Sequence, residues 1–188
     1  MPIAELNEQV VFVRLELSPA EIPGLLERHA KKYPGAAALE QRGAALVEAG
    51  VQVVAALEFV EAVVRWGRGQ RFVGRVLDQN AAEQITGALQ EANALLNTGQ
   101  VAAAVSRLQQ LRYLGQSFAS KIARFMNPAV AVILDEVIRS ALGYREDQAG
   151  YQEFLHDCQA SLALLAPHHS QLRVCDVEAA IFAKIQGY

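Results

Sequence analysis

The chain has 188 residues, of which 52% are hydrophobic and 20% are charged, and its formal net charge is −3. This apolar fraction supports a sizeable core and excludes a disordered or fibrous chain, and the length predicts one domain or two small lobes that share a core. Taken as a total, the slightly acidic charge argues against a protein that coats nucleic acid in bulk.

The N-terminal third begins with a weak strand signal and continues as helix. Residues 10–17 alternate loosely between apolar and polar types, which predicts one short strand or an extended arm. Ser18 and Glu21 have the spacing of a capping box, and Pro19 stands at the first helical position, so we predict a helix that runs to about Lys32. The 32 alanines of the chain agree with a mainly helical protein.

The rest of the chain is a series of helices separated by glycine, asparagine and proline. Gly67 and Gly69 interrupt the pattern, and Asn80 with Glu83 predicts another capping box. Helices are expected over residues 36–49, 51–66, 80–97, 100–111, 117–126, 135–142, 150–165 and 176–185, with a tight turn at 113–116. The sequence therefore predicts an all-α fold of nine or ten orthogonally packed helices with essentially no sheet. We expect one unit over residues 1–188, with two possible lobes formed by about 1–66 plus 145–188 and by about 67–144.

The sequence also limits the compartment and the metal chemistry. No uncharged apolar run is long enough to span a bilayer, and the first residues lack a basic stretch followed by an apolar run, so we expect a cytoplasmic protein without membrane contact. Cys158 and Cys175 are isolated, with no CxxC pair and no clustered histidines. This pattern argues against a disulfide scaffold, a zinc site and an iron–sulfur cluster, and we expect no bound metal.

The charges are segregated along the chain in a way that the net value hides. Four arginines and no acid lie between Glu61 and Asp78, and four bases and no acid lie between Glu91 and Asp135. Such segregation predicts a local positive surface that a polyanion would bind. Solvated helix faces are the alternative, and charge alone does not choose between the two. The bases are Arg65, Arg68, Arg71 and Arg75 in the first stretch and Arg107, Arg112, Lys121 and Arg124 in the second.

Lys121 and Asp135 are the candidate chemical groups. Lys121 is the only lysine between residues 33 and 183 and lies among apolar residues near a predicted helix N-terminus. The helix dipole, nearby arginines and partial burial would lower its pKa and leave more of the nucleophilic neutral amine. Asp135 opens the next helix and would place a base or a cation-stabilising carboxylate opposite that amine. The alternatives are a lysine at the edge of the core and an ordinary N-cap.

Two segments resemble the helix-hairpin-helix DNA glycosylase superfamily, most closely its 8-oxoguanine glycosylase/lyase branch. They are Leu111-Arg112-Tyr113-Leu114-Gly115-Gln116-Ser117-Phe118-Ala119-Ser120-Lys121 and the stretch from Phe125-Met126-Asn127-Pro128 to Val132-Ile133-Leu134-Asp135. In that superfamily a glycine-containing hairpin leads to the helix of the catalytic lysine, and an aliphatic run leads to the catalytic aspartate. Lys121 and Asp135 match these positions. Ser117 and Ala119 stand where the family has glycine, and Val137 stands where many relatives have histidine.

The resemblance implies a base-excision enzyme for double-stranded DNA. It would remove an oxidised, 8-oxoguanine-like base and cleave the strand through a Schiff base on Lys121, with Asp135 assisting and without a metal or organic cofactor. The implied DNA-binding residues are Arg65, Arg68, Arg71, Arg75, Arg112, Gly115, Ser117 and Arg124. The implied base pocket consists of Phe125, Glu178, Phe182 and Trp66, and Glu178 and Phe182 are four residues apart on one helix face. The sequence leaves two alternatives open, an inactive helix-hairpin-helix DNA-binding protein and an all-helical protein interaction domain.

Overall fold

A computed structural model describes residues 4–6, 9–12 and 15–188 of the chain. Ten α-helices build this described part, which confirms the predicted all-α fold. The helices are α1 (Ile22–Lys32), α2 (Ala36–Glu48), α3 (Val53–Trp66), α4 (Val73–Asp78), α5 (Ala82–Asn97), α6 (Val101–Leu108), α7 (Gln116–Met126), α8 (Glu136–Leu142), α9 (Gln148–Leu165) and α10 (Val174–Gln186). Among the described residues, no helix combines the length and the apolar character needed to cross a bilayer. The division into two lobes stays a prediction.

The N-terminal segment forms three short strands, where the sequence predicted one strand or an arm. They are β1 (Ala4–Leu6), β2 (Gln9–Phe12) and β3 (Leu15–Leu17), and they pair antiparallel in the order β1-β2-β3. Glu5 faces Val10 across the first pair, and Val11 faces Glu16 across the second. A lone strand leaves its backbone donors and acceptors unpaired, and folding the segment back on itself pairs them. This small sheet packs against α9 through β2.

The first capping box lies where the sequence predicts it. The Ser18 backbone N–H donates to Glu21 Oε1 at 3.0 Å. The box opens a short 3-10 turn, Pro19–Glu21, which continues into α1. The signal that starts this helix is local, since both partners lie within four residues of sequence.

The predicted capping box at Asn80 and Glu83 is wrong by one residue. Ala81 is the N-cap of α5, and its backbone N–H donates to Gln84 Oε1 at 2.9 Å. The Asn80 side chain is buried and bonds elsewhere: its Nδ2 donates to Val76 O at 2.7 Å and to Arg112 O at 3.1 Å, and its Oδ1 accepts from Arg112 N at 2.8 Å. Asn80 therefore ties the end of α4, a helix that the sequence analysis missed, to the connection between α6 and α7.

Helix α7 lies at the centre of the structure, where α2, α3, α5 and α6 contact it. Its approach to α2 is closest at Gly43, where an added Cβ would lie 1.9 Å from the Phe125 carbonyl oxygen. The connection from α7 to α8 runs through the buried aliphatic residues 131–134. Helix α10 packs against α1, α8 and α9. It thereby forms a third side of the region that α7 and the start of α8 border. This packing places α7, the start of α8 and α10 around one cleft.

Candidate active site

A cleft of about 230 Å³ opens between α1, α7, α10 and the start of α8. Its lining includes Lys121, Asp135, Glu178, Phe182 and Trp66, which are distant in the sequence. The volume lies below the ~300–1,000 Å³ typical of pockets for drug-sized ligands, so the cleft suits a small group such as one planar ring system.

Lys121 and Asp135 face each other inside this cleft. Lys121 Nζ lies 3.8 Å from Asp135 Oδ2, and the two side chains are 8% and 17% exposed. Nζ also donates to Ser117 Oγ at 2.8 Å and to Ser117 O at 3.3 Å. Burial lowers the pKa of Lys121, against the opposing effects of the Asp135 and Glu178 carboxylates. The site therefore places an amine, whose charged form is disfavoured by burial, 3.8 Å from a carboxylate.

Asp135 is both an N-cap and a cleft residue. Its Oδ1 accepts from the Ile138 backbone N–H at 3.2 Å and so caps α8, while Oδ2 faces Lys121. The two roles use different oxygens, so the ordinary cap that the sequence suggested does not compete with a role in the cleft.

Two buried hydroxyls hold the chain that leads to Asp135. Ser120 Oγ donates to Ser117 O at 3.0 Å and accepts from Leu134 N at 3.2 Å, which joins α7 to the residue before Asp135. Tyr151 OH donates to Val132 O at 2.9 Å and accepts from Val132 N at 3.3 Å. These bonds give partners to buried backbone N–H and C=O groups that lie outside any helix, and they fix the position of Asp135. Sequence reasoning missed both residues, since each acts on a backbone partner at least fourteen positions away.

Glu178 lies at the base of the cleft with only 3% of its surface exposed. Glu178 is therefore a buried residue of the cleft and not a surface glutamate. Burial raises the pKa of Glu178 to about 8, although nearby Arg124, a backbone hydrogen bond with Ile133 and Lys121 act in the opposite direction. At neutral pH the carboxyl is largely protonated and presents one donor and one acceptor.

A glutamine at position 178 is expected to make stability less dependent on pH. The pKa of Glu178 is about 8 in the folded protein and 4.5 as a model value, so the folded state binds the proton more tightly and the wild type loses stability as pH rises from about 4.5 to about 8. Glu178→Gln removes this loss. Urea unfolding at pH 5 and pH 8 measures the effect: the variant should gain stability relative to wild type at pH 8. An equal difference at both pH values would contradict the prediction.

Aromatic rings wall the outer part of the cleft. His29 stacks on Tyr33 with ring centroids 5.2 Å apart, and Tyr33 meets Phe182 edge-on at 5.5 Å and Trp66 at 5.7 Å. Burial, assisted by the Arg124 charge, lowers the pKa of His29 to about 4, so this ring is neutral at physiological pH. Trp66 Nε1 is buried without a hydrogen-bond partner in the described part of the chain. Sequence reasoning missed His29 and Tyr33, because nothing local marks α1 as a wall of the cleft.

Two residues of the predicted site do not lie where the sequence placed them. Phe125 is fully buried beneath Trp66, with ring centroids 4.8 Å apart, and it does not line the cleft. Arg124 is 6% exposed, and its Nη1 lies 2.7 Å from Glu40 Oε1 on α2. Arg124 therefore forms a buried ion pair and is not part of the exposed basic surface.

The other predicted basic residues lie on the surface. Arg68 also lines the cleft, and its guanidinium lies over the Tyr33 ring at 5.3 Å. The sequence analysis did not single out Tyr113, which is 54% exposed in the turn before α7. Its φ of 66° is a left-handed conformation that is uncommon for a non-glycine residue. The Ser117 hydroxyl bonds Lys121 within the protein. The exposed residues of the predicted set are Arg65, Arg68, Arg71, Arg75, Arg112 and Gly115.

An alanine at position 67 is expected to displace Lys121 with little effect on stability. An added Cβ would lie 2.8 Å from Phe118 Cε1 and 2.9 Å from Lys121 Cδ, so the flexible lysine side chain must move. A displacement of about 1 Å at a reacting group costs up to ~10²-fold in rate. Covalent trapping on DNA, a reaction that the resemblance implies for Lys121, and urea unfolding measure the two effects. Gly74→Ala is the matched control, since its Cβ meets nothing closer than 4.0 Å; equal trapping rates in both variants would contradict the prediction.

The fold and the cleft together define an all-helical protein that buries a lysine beside a carboxylate in an aromatic-walled site. Over residues 27–182, the chain matches the sequence model of the family described as "Putative 8-oxoguanine DNA glycosylase OGG-like protein". The match covers well over half of the chain, and the chain belongs to this family, which confirms the resemblance to the 8-oxoguanine glycosylase branch. No significant match to a curated protein or to a solved structure was found. Among the described residues, no three His, Cys, Asp or Glu side chains are grouped so as to hold a metal ion.

Proposed function

We propose that the chain is a DNA glycosylase with lyase activity that removes an oxidised, 8-oxoguanine-like base from double-stranded DNA. The observation that carries the proposal is the buried Lys121–Asp135 pair, with 3.8 Å between Nζ and Oδ2, in a cleft sized for one planar group. Family membership supports the same chemistry. Arg68, which lines the cleft, and the other exposed arginines supply contacts to phosphates that do not depend on base sequence.

The base is held outside the DNA helix, because the reacting sugar carbon is inaccessible within the duplex. Trp66 and Phe182 offer ring faces for stacking, and the protonated Glu178 carboxyl offers both a donor and an acceptor to the base edge. The unpaired Trp66 Nε1 adds a donor at the wall. Arg68 lines the cleft and is exposed at the surface, so it contacts both the extruded base and the phosphate of the same nucleotide.

The reaction starts when Asp135 accepts a proton from the Lys121 ammonium. The Nζ lone pair forms a bond to C1′ of the sugar, the C1′–N bond to the base breaks, and its electron pair leaves with the base, which takes up a proton. The base takes this proton from Asp135, and the restored Asp135 carboxylate stabilises the positive charge on the sugar. The C1′–O4′ bond then breaks, the ring oxygen O4′ takes up the proton that Nζ loses, and a Schiff base forms between Nζ and C1′. Loss of a C2′ proton allows β-elimination, in which the bond to the 3′ phosphate breaks and the phosphate carries away the electron pair.

Borohydride trapping tests the proposal. Wild-type protein is incubated with duplexes that contain 8-oxoguanine or an abasic site, and reduction of the Schiff base should give a covalent protein–DNA adduct. Lys121→Ala should give none, whereas Lys31→Ala, which removes an exposed lysine on α1, should trap as well as wild type.

The remaining outcomes contradict the proposal in different ways. Salt-sensitive DNA binding without an adduct on any lesion would identify an inactive DNA-binding protein. The absence of salt-sensitive DNA binding would leave an interaction domain for another protein.

A further inference from the structure

Lys121 Nζ has one contact that is shorter than all its others. Ser117 Oγ lies 2.8 Å away, compared with 3.3 Å for Ser117 O and 3.8 Å for Asp135 Oδ2. The Ser117 carbonyl also accepts from Ser120 Oγ at 3.0 Å, so Lys121 shares that acceptor. The hydroxyl is therefore the best-placed acceptor for the ammonium group.

We infer that Ser117 is a positioning residue: its hydroxyl holds the Lys121 ammonium in the resting site, and this bond is broken or reversed before Nζ reacts. The second part of this inference, that the bond changes before Nζ reacts, rests on the proposed function. An ammonium group carries three donors and no acceptor, and the two Ser117 oxygens and Asp135 face it. Loss of the proton frees a lone pair to which the Ser117 O–H donates, so one hydroxyl serves both states of the amine.

Other groups face Lys121 and also act on its charge. Asp135 at the start of α8 favours the ammonium, Glu178 on α10 does so when it is ionised, and burial opposes it. The remaining titratable or charged groups that line the cleft are His29 on α1, Tyr33 at its C-cap and Arg68 after α3. Arg124 follows one turn later on α7 and is paired with Glu40. All of these groups are retained in the Ser117 variants, so a difference between the variants and wild type reports the contribution of the Ser117 hydroxyl.

Carbon-13 NMR of the free protein, labelled at lysine Cε, tests the inference without DNA. The chain has four lysines, and the Lys121 resonance is assigned by its absence in Lys121→Ala. Loss of a hydrogen bond to a charged group should lower the titration midpoint of Lys121 by about 1 pH unit in Ser117→Ala. Ser117→Thr retains a hydroxyl and should titrate like wild type. A midpoint that is unchanged or raised in Ser117→Ala overturns the inference.

Trapping on an abasic duplex gives the catalytic readout. The pH at half-maximal trapping rate should be about 1 unit lower in Ser117→Ala than in wild type, with Ser117→Thr restoring it. A purely structural role would lower the rate at every pH without moving the midpoint, and that result overturns the inference. Ser117→Gly provides a second variant if the alanine variant does not fold. If wild type itself gives no adduct, the proposed function fails, while the NMR titration still decides the role of Ser117.

Discussion

Asp135→Asn is expected to slow base release by about 10²- to 10⁴-fold while the protein stays folded. An asparagine Oδ1 still accepts from the Ile138 N–H and caps α8. The carboxylate charge that faces Lys121 is lost, and with it both the proton acceptor and the stabilisation of positive charge on the sugar. Single-turnover release of 8-oxoguanine from a duplex measures the change, and urea unfolding checks the fold.

Asp135→Ala separates the two roles of this residue. It removes the charge and the cap together, so it should be as slow as Asp135→Asn and about 1 kcal/mol less stable than that variant. If the asparagine variant released base at the wild-type rate, Asp135 would be a helix cap alone. The difference between the two variants therefore assigns chemistry and stability to different oxygens of one side chain.

Gly43→Ala is expected to give the largest loss of stability among alanine substitutions at the glycines that lie within helices. The new Cβ would lie 1.9 Å from the Phe125 carbonyl oxygen and 2.7 Å from its carbonyl carbon. These are backbone atoms of α7, so relief requires the α2 and α7 axes to separate. Overpacking of this kind costs about 3 kcal/mol or more, which lowers the melting temperature by roughly 6–12 °C.

Gly87→Ala is the matched control for Gly43→Ala. Gly87 also lies within a helix, but nothing lies within 4 Å of its added Cβ. The substitution should raise stability by about 0.5–1 kcal/mol, because alanine loses less conformational freedom on folding than glycine does. Thermal unfolding of both variants measures the contrast. A destabilisation of similar size in both would show that the contact with α7 does not control the effect.

The helices could be predicted because their signals are local. The Ser18–Glu21 box, the Asp135 cap and the glycines at helix ends act within a few residues, and the observed helix ends lie close to the predicted ones. The error at Asn80 has a tertiary cause, since its side chain bonds Arg112 thirty-two residues away and is not free to cap α5. Helix α4 was missed because it is short and carries Gly74 inside it.

The candidate site could be predicted only where a motif marks it. Lys121 and Asp135 stood out through their spacing and neighbours, whereas Arg124 stood out through the same basic stretch and proved to be buried. The sequence shows that acids are absent near Arg124 along the chain, but its partner Glu40 comes from α2. A basic stretch in the sequence therefore predicts a positive surface only when acidic residues from distant segments do not pair with its bases.

The amino-acid sequence by itself determined the all-helical class, the ends of most helices and the two residues proposed to carry the chemistry. These follow from interactions between near neighbours and from one motif of about twenty-five residues. Tertiary structure alone decided that His29 and Tyr33 wall the cleft, that Glu178 is buried within it and that Ser117 bonds Lys121. The physical reason is that the burial and the pKa of a side chain depend on which helices pack around it, and these helices come from distant parts of the sequence.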